Sequence, residues 1–271
     1  MSAHPGWLLP LFVPATRPDR FAKAATSGTD AIVVDLEDAV PVDGKAEARS
    51  HLGASIGLGV DTILRINARG SPWYADDLRA AASLAFDAIM VPKVDGADVV
   101  AEAHALSGGK PVIALIETLG GVERLDEIAG ANGSAQLGFG TQDLAGEMGC
   151  GPRSRLFDTV RFNMLCASRR AGIAPPLDGT SLLLDDSEGD DAAGRELVEI
   201  GFAGRFCIHP AQVTPLARGL RPTEAEIDRA TRVLEAPDGA ARVDGTMVDQ
   251  PVRIQMQNIL RRASRLKATN L

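Results

Sequence analysis

Eight short runs of apolar, often β-branched residues recur along this chain, mostly separated by stretches with helical periodicity. They fall at residues 7–13, 31–34, 62–67, 88–93, 112–116, 136–140, 175–179 and 205–210. Runs so short and so apolar suit strands buried on both faces, as in a parallel sheet covered by helices. The alternation predicts an α/β fold: a TIM (β/α)8 barrel over residues 1–220, with a C-terminal helical extension over residues 221–271. A doubly wound open sheet is the competing arrangement. Against it, no Gly-x-Gly-x-x-Gly follows the first run, as a dinucleotide-binding sheet would be expected to show.

In a parallel barrel the C-terminal ends of the strands build the site, and here those ends carry charge. Val112-Ile113-Ala114-Leu115-Ile116 runs into Glu117, and Gln136-Leu137-Gly138-Phe139-Gly140 is soon followed by Asp143. Two acids at the same end of consecutive strands could hold a hard divalent cation, and the glycines around them permit close approach. Either acid alone could instead cap a following helix. Ala31-Ile32-Val33-Val34 delivers Asp35-Leu36-Glu37-Asp38, and three acids in four residues repel one another unless cations or donors compensate. Arg65 is embedded in an apolar run, where an unpaired guanidinium is costly. It either locks onto the acidic cluster or awaits an anionic substrate, and the two roles are compatible. Lys93 ends the fourth run. Arg17 and Lys23 follow the first run near a helix start, where they could meet a phosphate or carboxylate; solvated surface charge is the alternative.

The net charge of -8 argues against non-specific nucleic-acid binding but leaves room for a local basic pocket holding an anionic small molecule. Cys150, Cys166 and Cys207 form no Cys-x-x-Cys pair, suit a reducing cytoplasm, and read as packing residues. Residues 7–13 are too short to span a bilayer and are broken by Pro10, so neither membrane association nor a targeting segment is expected. The acidic stretch at 185–191 reads as a solvated loop, and His209 as a structural histidine. Thr223 with Glu226 forms a capping-box pattern, residues 239–245 read as a turn-rich connection, and a final helix follows Pro251. Ile254, Ile259, Leu260 and Leu266 on that helix predict a homo-oligomer; packing within one subunit is the alternative.

Several segments, in their order and combination, carry a resemblance over nearly the whole chain. They are Leu11-Phe12-Val13-Pro14-Ala15-Thr16-Arg17-Pro18, Asp35-Leu36-Glu37-Asp38-Ala39-Val40, Arg65-Ile66-Asn67, Pro92-Lys93, Glu117-Thr118, residues 140–144, Ile208-His209-Pro210-Ala211-Gln212 and Gly245-Thr246-Met247-Val248-Asp249. Together they resemble the citrate lyase β-subunit-like CoA-ester lyases of the HpcH/HpaI aldolase/citrate lyase family. The resemblance implies a TIM barrel that binds Mg2+ through Glu117 and Asp143, with waters and substrate oxygens completing an octahedron. It also implies that Arg65 holds the keto-acid oxygen or carboxylate, and that Glu37 and Asp38 orient this arginine and a metal-bound water. Asp249 would reach a neighbouring subunit's site as an acid/base group, while Arg17 and Lys23 would lie near the CoA nucleotide. The family's frequent Gly-Phe-Asp-Gly-Lys stands here as Gly201-Phe202-Ala203-Gly204-Arg205, so Arg205 keeps the charge with a different geometry.

The reaction so implied is reversible Claisen-type cleavage of a short 3-hydroxyacyl-CoA, such as malyl-, citramalyl- or citryl-CoA. Its products are acetyl-CoA, or a close homologue, and a 2-keto acid; thioester hydrolysis could accompany it. The resemblance places this chemistry in a cytoplasmic homo-oligomer, a trimer or hexamer. One alternative is a metal-dependent aldolase on free 2-keto acids, a branch with a histidine where Glu37-Asp38 stand here. Another is a subunit of a multi-subunit citrate lyase, against which the joint presence of Arg65, Glu117, Asp143 and Asp249 argues.

Overall fold

The computed structural model describes residues 6–237 and 241–268. Eight parallel strands follow one another in sequence order: β1 (Leu11–Pro14), β2 (Ala31–Asp35), β3 (Asp61–Arg65), β4 (Ala88–Val91), β5 (Val112–Ile116), β6 (Ser134–Phe139), β7 (Ala174–Asp178) and β8 (Gly204–Arg205). Backbone bonds from the β8 segment close the sheet onto the β1 segment. Arg205 N donates to Leu8 O at 2.8 Å, Cys207 N to Pro10 O at 2.9 Å, and Phe12 N to Cys207 O at 2.8 Å.

Helices line the crossovers: α1 (Phe21–Ala25), α2 (Lys45–Ser50), α3 (Tyr74–Ser83), α4 (Ala97–Leu106), α5 (Leu119–Glu123), α6 (Leu125–Ala129), α7 (Thr141–Met148), α8 (Leu156–Ala171) and α9 (Ser187–Glu199). The predicted (β/α)8 barrel is the fold observed. Its strands are buried on both faces: every residue of β2, β4 and β5 is buried. Each fully buried Ile, Val or Leu of these strands contributes about 1.5–3 kcal/mol of transfer free energy.

Four local expectations are corrected. First, Trp7 does not extend β1. Its backbone N donates to Gln136 Oε1 and its indole to Asp61 Oδ2, both at 2.9 Å, so it plugs the barrel where β3 and β6 begin. Second, β8 ends early because the chain turns to start the next helix. The His209 ring accepts from Ala211 N, and Gln212 Oε1 accepts from the amides of Ile208 and His209. His209 is therefore structural, as predicted.

Third, the acidic stretch at 185–191 is mostly the start of α9 rather than a loop. Asp186 caps the helix by accepting from Gly189 N, and the first-turn acids complement the helix dipole. Asp190 is buried 3.7 Å from Arg205, and Asp191 pairs with Arg195 at 2.8 Å.

The fourth correction concerns the C-terminal region. After α10 (Pro210–Leu220) and α11 (Glu224–Glu235), whose Thr223–Glu226 capping box forms as predicted, the chain makes an antiparallel hairpin, β9 (Ala241–Val243) and β10 (Thr246–Val248). The predicted turn at 239–245 is thus partly strand; residues 238–240 lie outside the described residues.

The final helix, α12 (Gln250–Ala268), packs on α11 around Ala230, Val233, Val248 and Met256, a small apolar cluster separate from the barrel core. Its last turn returns to the barrel floor: Leu266 joins the main core and Arg265 donates to Gly6 O at 2.7 Å. Of the four apolar residues expected to form a partner surface, Ile259 and Leu260 pack on the small cluster, Leu266 is in the core, and Ile254 is exposed. Among the described residues no helix is long and apolar enough to cross a membrane.

Candidate active site

Strand register brings the charged groups together. β2 pairs with β3 so that Asp35 stands opposite Arg65, and β5 pairs with β6 so that Ile116 stands opposite Phe139. The next residues, Glu117 and Gly140, therefore share one rim. Over it opens a cavity of about 430 Å3 whose lining includes Arg65, Asp38, Glu117 and Asp143, with Phe12, Phe139, Phe206 and Leu115 as apolar walls.

Arg65 is gripped on three sides. Its Nε and Nη2 donate to the two oxygens of Asp35 at 2.7 and 2.6 Å, and Nη1 lies 3.0 Å from Glu37 and 3.7 Å from Asp38. Its guanidinium also stacks over Phe12, 4.8 Å from the ring centre. Burial by itself would lower its pKa, but Asp35, Glu37 and Asp38 reverse the effect and hold the charge firmly in place. Of the two expected roles, the lock onto the acidic cluster is the one seen, and Arg65 also lines the cavity.

Glu117 is buried, and its Oε1 accepts from the backbone N of Lys93 at 2.9 Å. It caps no helix; Thr118 caps α5 by accepting from Gly121 N. Room for its carboxylate depends on Gly140, because a Cβ there would collide with the Glu117 side chain. Burial first, and then the charges of Glu37 and Asp143, push the Glu117 carboxyl up to about 7. Burial likewise raises Glu37. Asp143 sits in the first turn of α7, with its side chain 42% exposed to the cavity mouth.

Between these acids lies Lys93. Its ammonium donates to Glu37 at 2.6 Å and stands 3.9 Å from Glu117 and 3.8 Å from Asp143.

The donor set fits a hard divalent cation. Asp35, Glu37, Asp38, Glu117 and Asp143 outnumber the cations Arg65 and Lys93, so the rim carries excess negative charge. Glu37 Oε2 is buried without an aligned hydrogen bond. Among the described residues no three His, Cys, Asp or Glu form a ready-made cage. Glu117 and Asp143 would thus supply two ligands and leave the rest to water and substrate oxygens, the mode that magnesium-type cations favour.

The structure groups Arg65, Glu37, Asp38, Glu117 and Asp143. Arg17 and Lys23 do not line the cavity; Arg17 pairs with Asp19 at 2.7 Å and Lys23 is exposed on α1. Asp249 is also outside it, and caps α12 by accepting from Val252 N at 3.3 Å. Arg205 is engaged by Gly179 O at 2.8 Å and lies beside Asp190.

Sequence reasoning gave no site role to Asp35 or Lys93. Asp35 was visible as part of the acidic cluster, and its pairing with Arg65 follows from alignment of the two strand ends. Lys93 was visible as a charged strand end between two others. Beneath the rim, buried Lys45 fixes the Glu37 loop, its ammonium donating at 2.7 Å to Leu36 O, Glu37 O and Asn67 Oδ1.

Known proteins share this chain's sequence pattern and fold. Residues 9–210 match the model of the HpcH/HpaI aldolase/citrate lyase family. The chain is 37% identical to a citrate lyase subunit β-like protein of Mycobacterium tuberculosis, over 97% of this chain and 96% of that one. It is 32% identical to a (3S)-malyl-CoA thioesterase of Cereibacter sphaeroides, over 98% and 97%. Its fold superposes with a TM-score of 0.84 on the M. tuberculosis protein CitE crystallised with magnesium, acetoacetate and coenzyme A, at 35% identity over 97% of this chain and 99% of that one. A family match across most of the barrel, with relatives aligned nearly end to end, places this chain in the HpcH/HpaI aldolase/citrate lyase family.

Proposed function

We propose that this protein is a Mg2+-dependent carbon–carbon lyase that cleaves, or in reverse forms, a short 3-hydroxyacyl-CoA. The observation that carries the reading is the pair Glu117 and Asp143 at the mouth of an apolar-walled cavity, with Arg65 held rigid beside them. When bound, Mg2+ supplies Lewis-acid polarisation of the hydroxy-acid end of the substrate. Its ligands on this chain would be Glu117 and Asp143.

Arg65 then faces the oxygen on which negative charge grows. Asp35 fixes the guanidinium plane, so little reorganisation is needed. Glu37 and Asp38 complete its setting, and Phe12, Phe139 and Phe206 exclude water from the reacting carbons. As the carbon–carbon bond breaks, the hydroxyl loses its proton and becomes the carbonyl of the 2-oxo acid. The bond's electron pair stays with the acetyl carbon and takes up a proton, so no net proton is released. The group assigned to that carbon is Asp249 of a second copy, since Asp249 of the same chain is outside the cavity. Arg17 and Lys23, beyond the end of β1, are assigned to the CoA phosphates. A cytoplasmic trimer or hexamer, built from a barrel over 1–220 and an extension over 221–271, is part of the same proposal.

Thioester hydrolysis is the second reading, favoured by the 32% identity to a malyl-CoA thioesterase. Incubation of malyl-, citramalyl- and citryl-CoA with protein and Mg2+, followed by mass spectrometry of the products, separates the two. The lyase reading expects equal amounts of acetyl-CoA and of glyoxylate, pyruvate or oxaloacetate. Free CoA with intact hydroxy acid and no acetyl-CoA would replace it by hydrolysis. Cleavage of a free 4-hydroxy-2-keto acid, without action on any CoA ester, would replace it by the free-acid aldolase.

A further inference from the structure

Lys93 is the rim residue to which the proposed reaction gives no task. It is also one of two non-glycine residues with positive φ among those described, at +52°, a conformation that costs energy in an L residue. That backbone sends the Lys93 N–H to Glu117 Oε1 and at the same time turns the side chain back over the rim. There the ammonium meets Glu37 at 2.6 Å and lies within 4 Å of both Glu117 and Asp143. The side chain remains 38% exposed, so it has room to move toward Glu37 alone.

We propose that Lys93 is the resident counter-cation of the metal site, a positioning residue that holds the Glu37–Glu117–Asp143 cluster together before the divalent ion enters and competes with that ion electrostatically. The inference rests on the assignment of Glu117 and Asp143 as metal ligands. Its physical basis is charge alone. Without a cation, three carboxylates crowd one rim, and Lys93 offsets their repulsion. A divalent ion held by Glu117 and Asp143 would place a like charge beside the ammonium, which already lies within 4 Å of both carboxylates, and in a partly buried site that repulsion is large on the scale of binding. Lys93 thus keeps the empty site assembled and weakens the affinity of the filled one. Its backbone amide is separate from this role and keeps orienting Glu117.

Lys93→Asn and Lys93→Arg separate the parts, because asparagine tolerates positive φ while removing the charge, and arginine keeps the charge. Binding of Mn2+ is followed by the electron paramagnetic resonance of the free ion at pH 8.5, alongside melting temperatures in EDTA and in excess Mg2+. Lys93→Asn is expected to bind Mn2+ at least about tenfold more tightly than wild type, by the repulsion removed. It should melt lower than wild type in EDTA and gain more from Mg2+, whereas Lys93→Arg stays within about threefold of wild-type affinity. Unchanged or weaker Mn2+ binding in Lys93→Asn would overturn the inference, as would a variant that stays unfolded even in Mg2+. Failure of wild type itself to bind Mn2+, with Glu117→Gln behaving identically, would instead remove the metal-site reading on which it rests.

Discussion

Glu117→Gln is expected to lower Mg2+-dependent turnover about a thousandfold and, in EDTA at pH 8, to make the protein more stable than wild type. Loss of a charged ligand accounts for the first effect. The second follows from burial, which together with Glu37 and Asp143 raises the Glu117 carboxyl from its ordinary 4.5 to about 7. A carboxyl with a raised folded-state pKa favours the fold while protonated. That stability is complete below pH 4.5 and is lost as the pH rises through 7. Glutamine cannot ionise, so the variant escapes the loss. At about 1.4 kcal/mol per pH unit, the gain at pH 8 is about 3 kcal/mol, shrinking toward zero near pH 4. Urea unfolding of both proteins in EDTA at the two pH values measures it. A variant less stable than wild type at pH 8 would show that Glu117 is held ionised and stabilising in the metal-free protein.

Arg65→Met is the second large effect. It strands Asp35, which is 1% exposed, without its paired cation, and leaves Glu37, which is 6% exposed, with Lys93 alone. Removing one partner of a buried ion pair typically costs about 3–5 kcal/mol. Turnover should fall by about a hundredfold or more with the loss of the oxygen-facing guanidinium. Arg65→Lys discriminates structure from chemistry. It restores charge and recovers part of the stability, but cannot make the two-point bond to Asp35, so turnover stays low. Recovery of full turnover in Arg65→Lys would show that charge at this position is sufficient and that the fixed guanidinium plane is not used.

The barrel was readable because its strands are short β-branched runs buried on both faces, a pattern that does not depend on which strands meet. Glu117, Asp143 and Arg65 were readable for the same reason, since strand ends define the rim. Their detailed partners needed register. Asp35 grips Arg65 because β2 and β3 align those two residues, and Lys93 reaches Glu37 across a separation of 56 residues. Local pattern also misread the acidic stretch at 185–191: its composition is that of a loop, but helix capping and the Asp190–Arg205 contact draw it into α9. The C-terminal hairpin was missed because its strands are three residues each, too short for a period to show. Asp249 occupies a helix cap in its own chain, and its assignment to a neighbouring site depends on how two copies meet rather than on any local pattern.

The central claim is that Glu117 and Asp143 hold a Mg2+ ion through which a 2-keto acid binds. Calorimetric titration of glyoxylate, pyruvate and oxaloacetate into wild type and Glu117→Ala, each with and without Mg2+, addresses it directly. The account predicts keto-acid binding in wild type with Mg2+, and its loss both in EDTA and in Glu117→Ala. Keto-acid binding that survives in EDTA, or in Glu117→Ala with Mg2+ present, would contradict it.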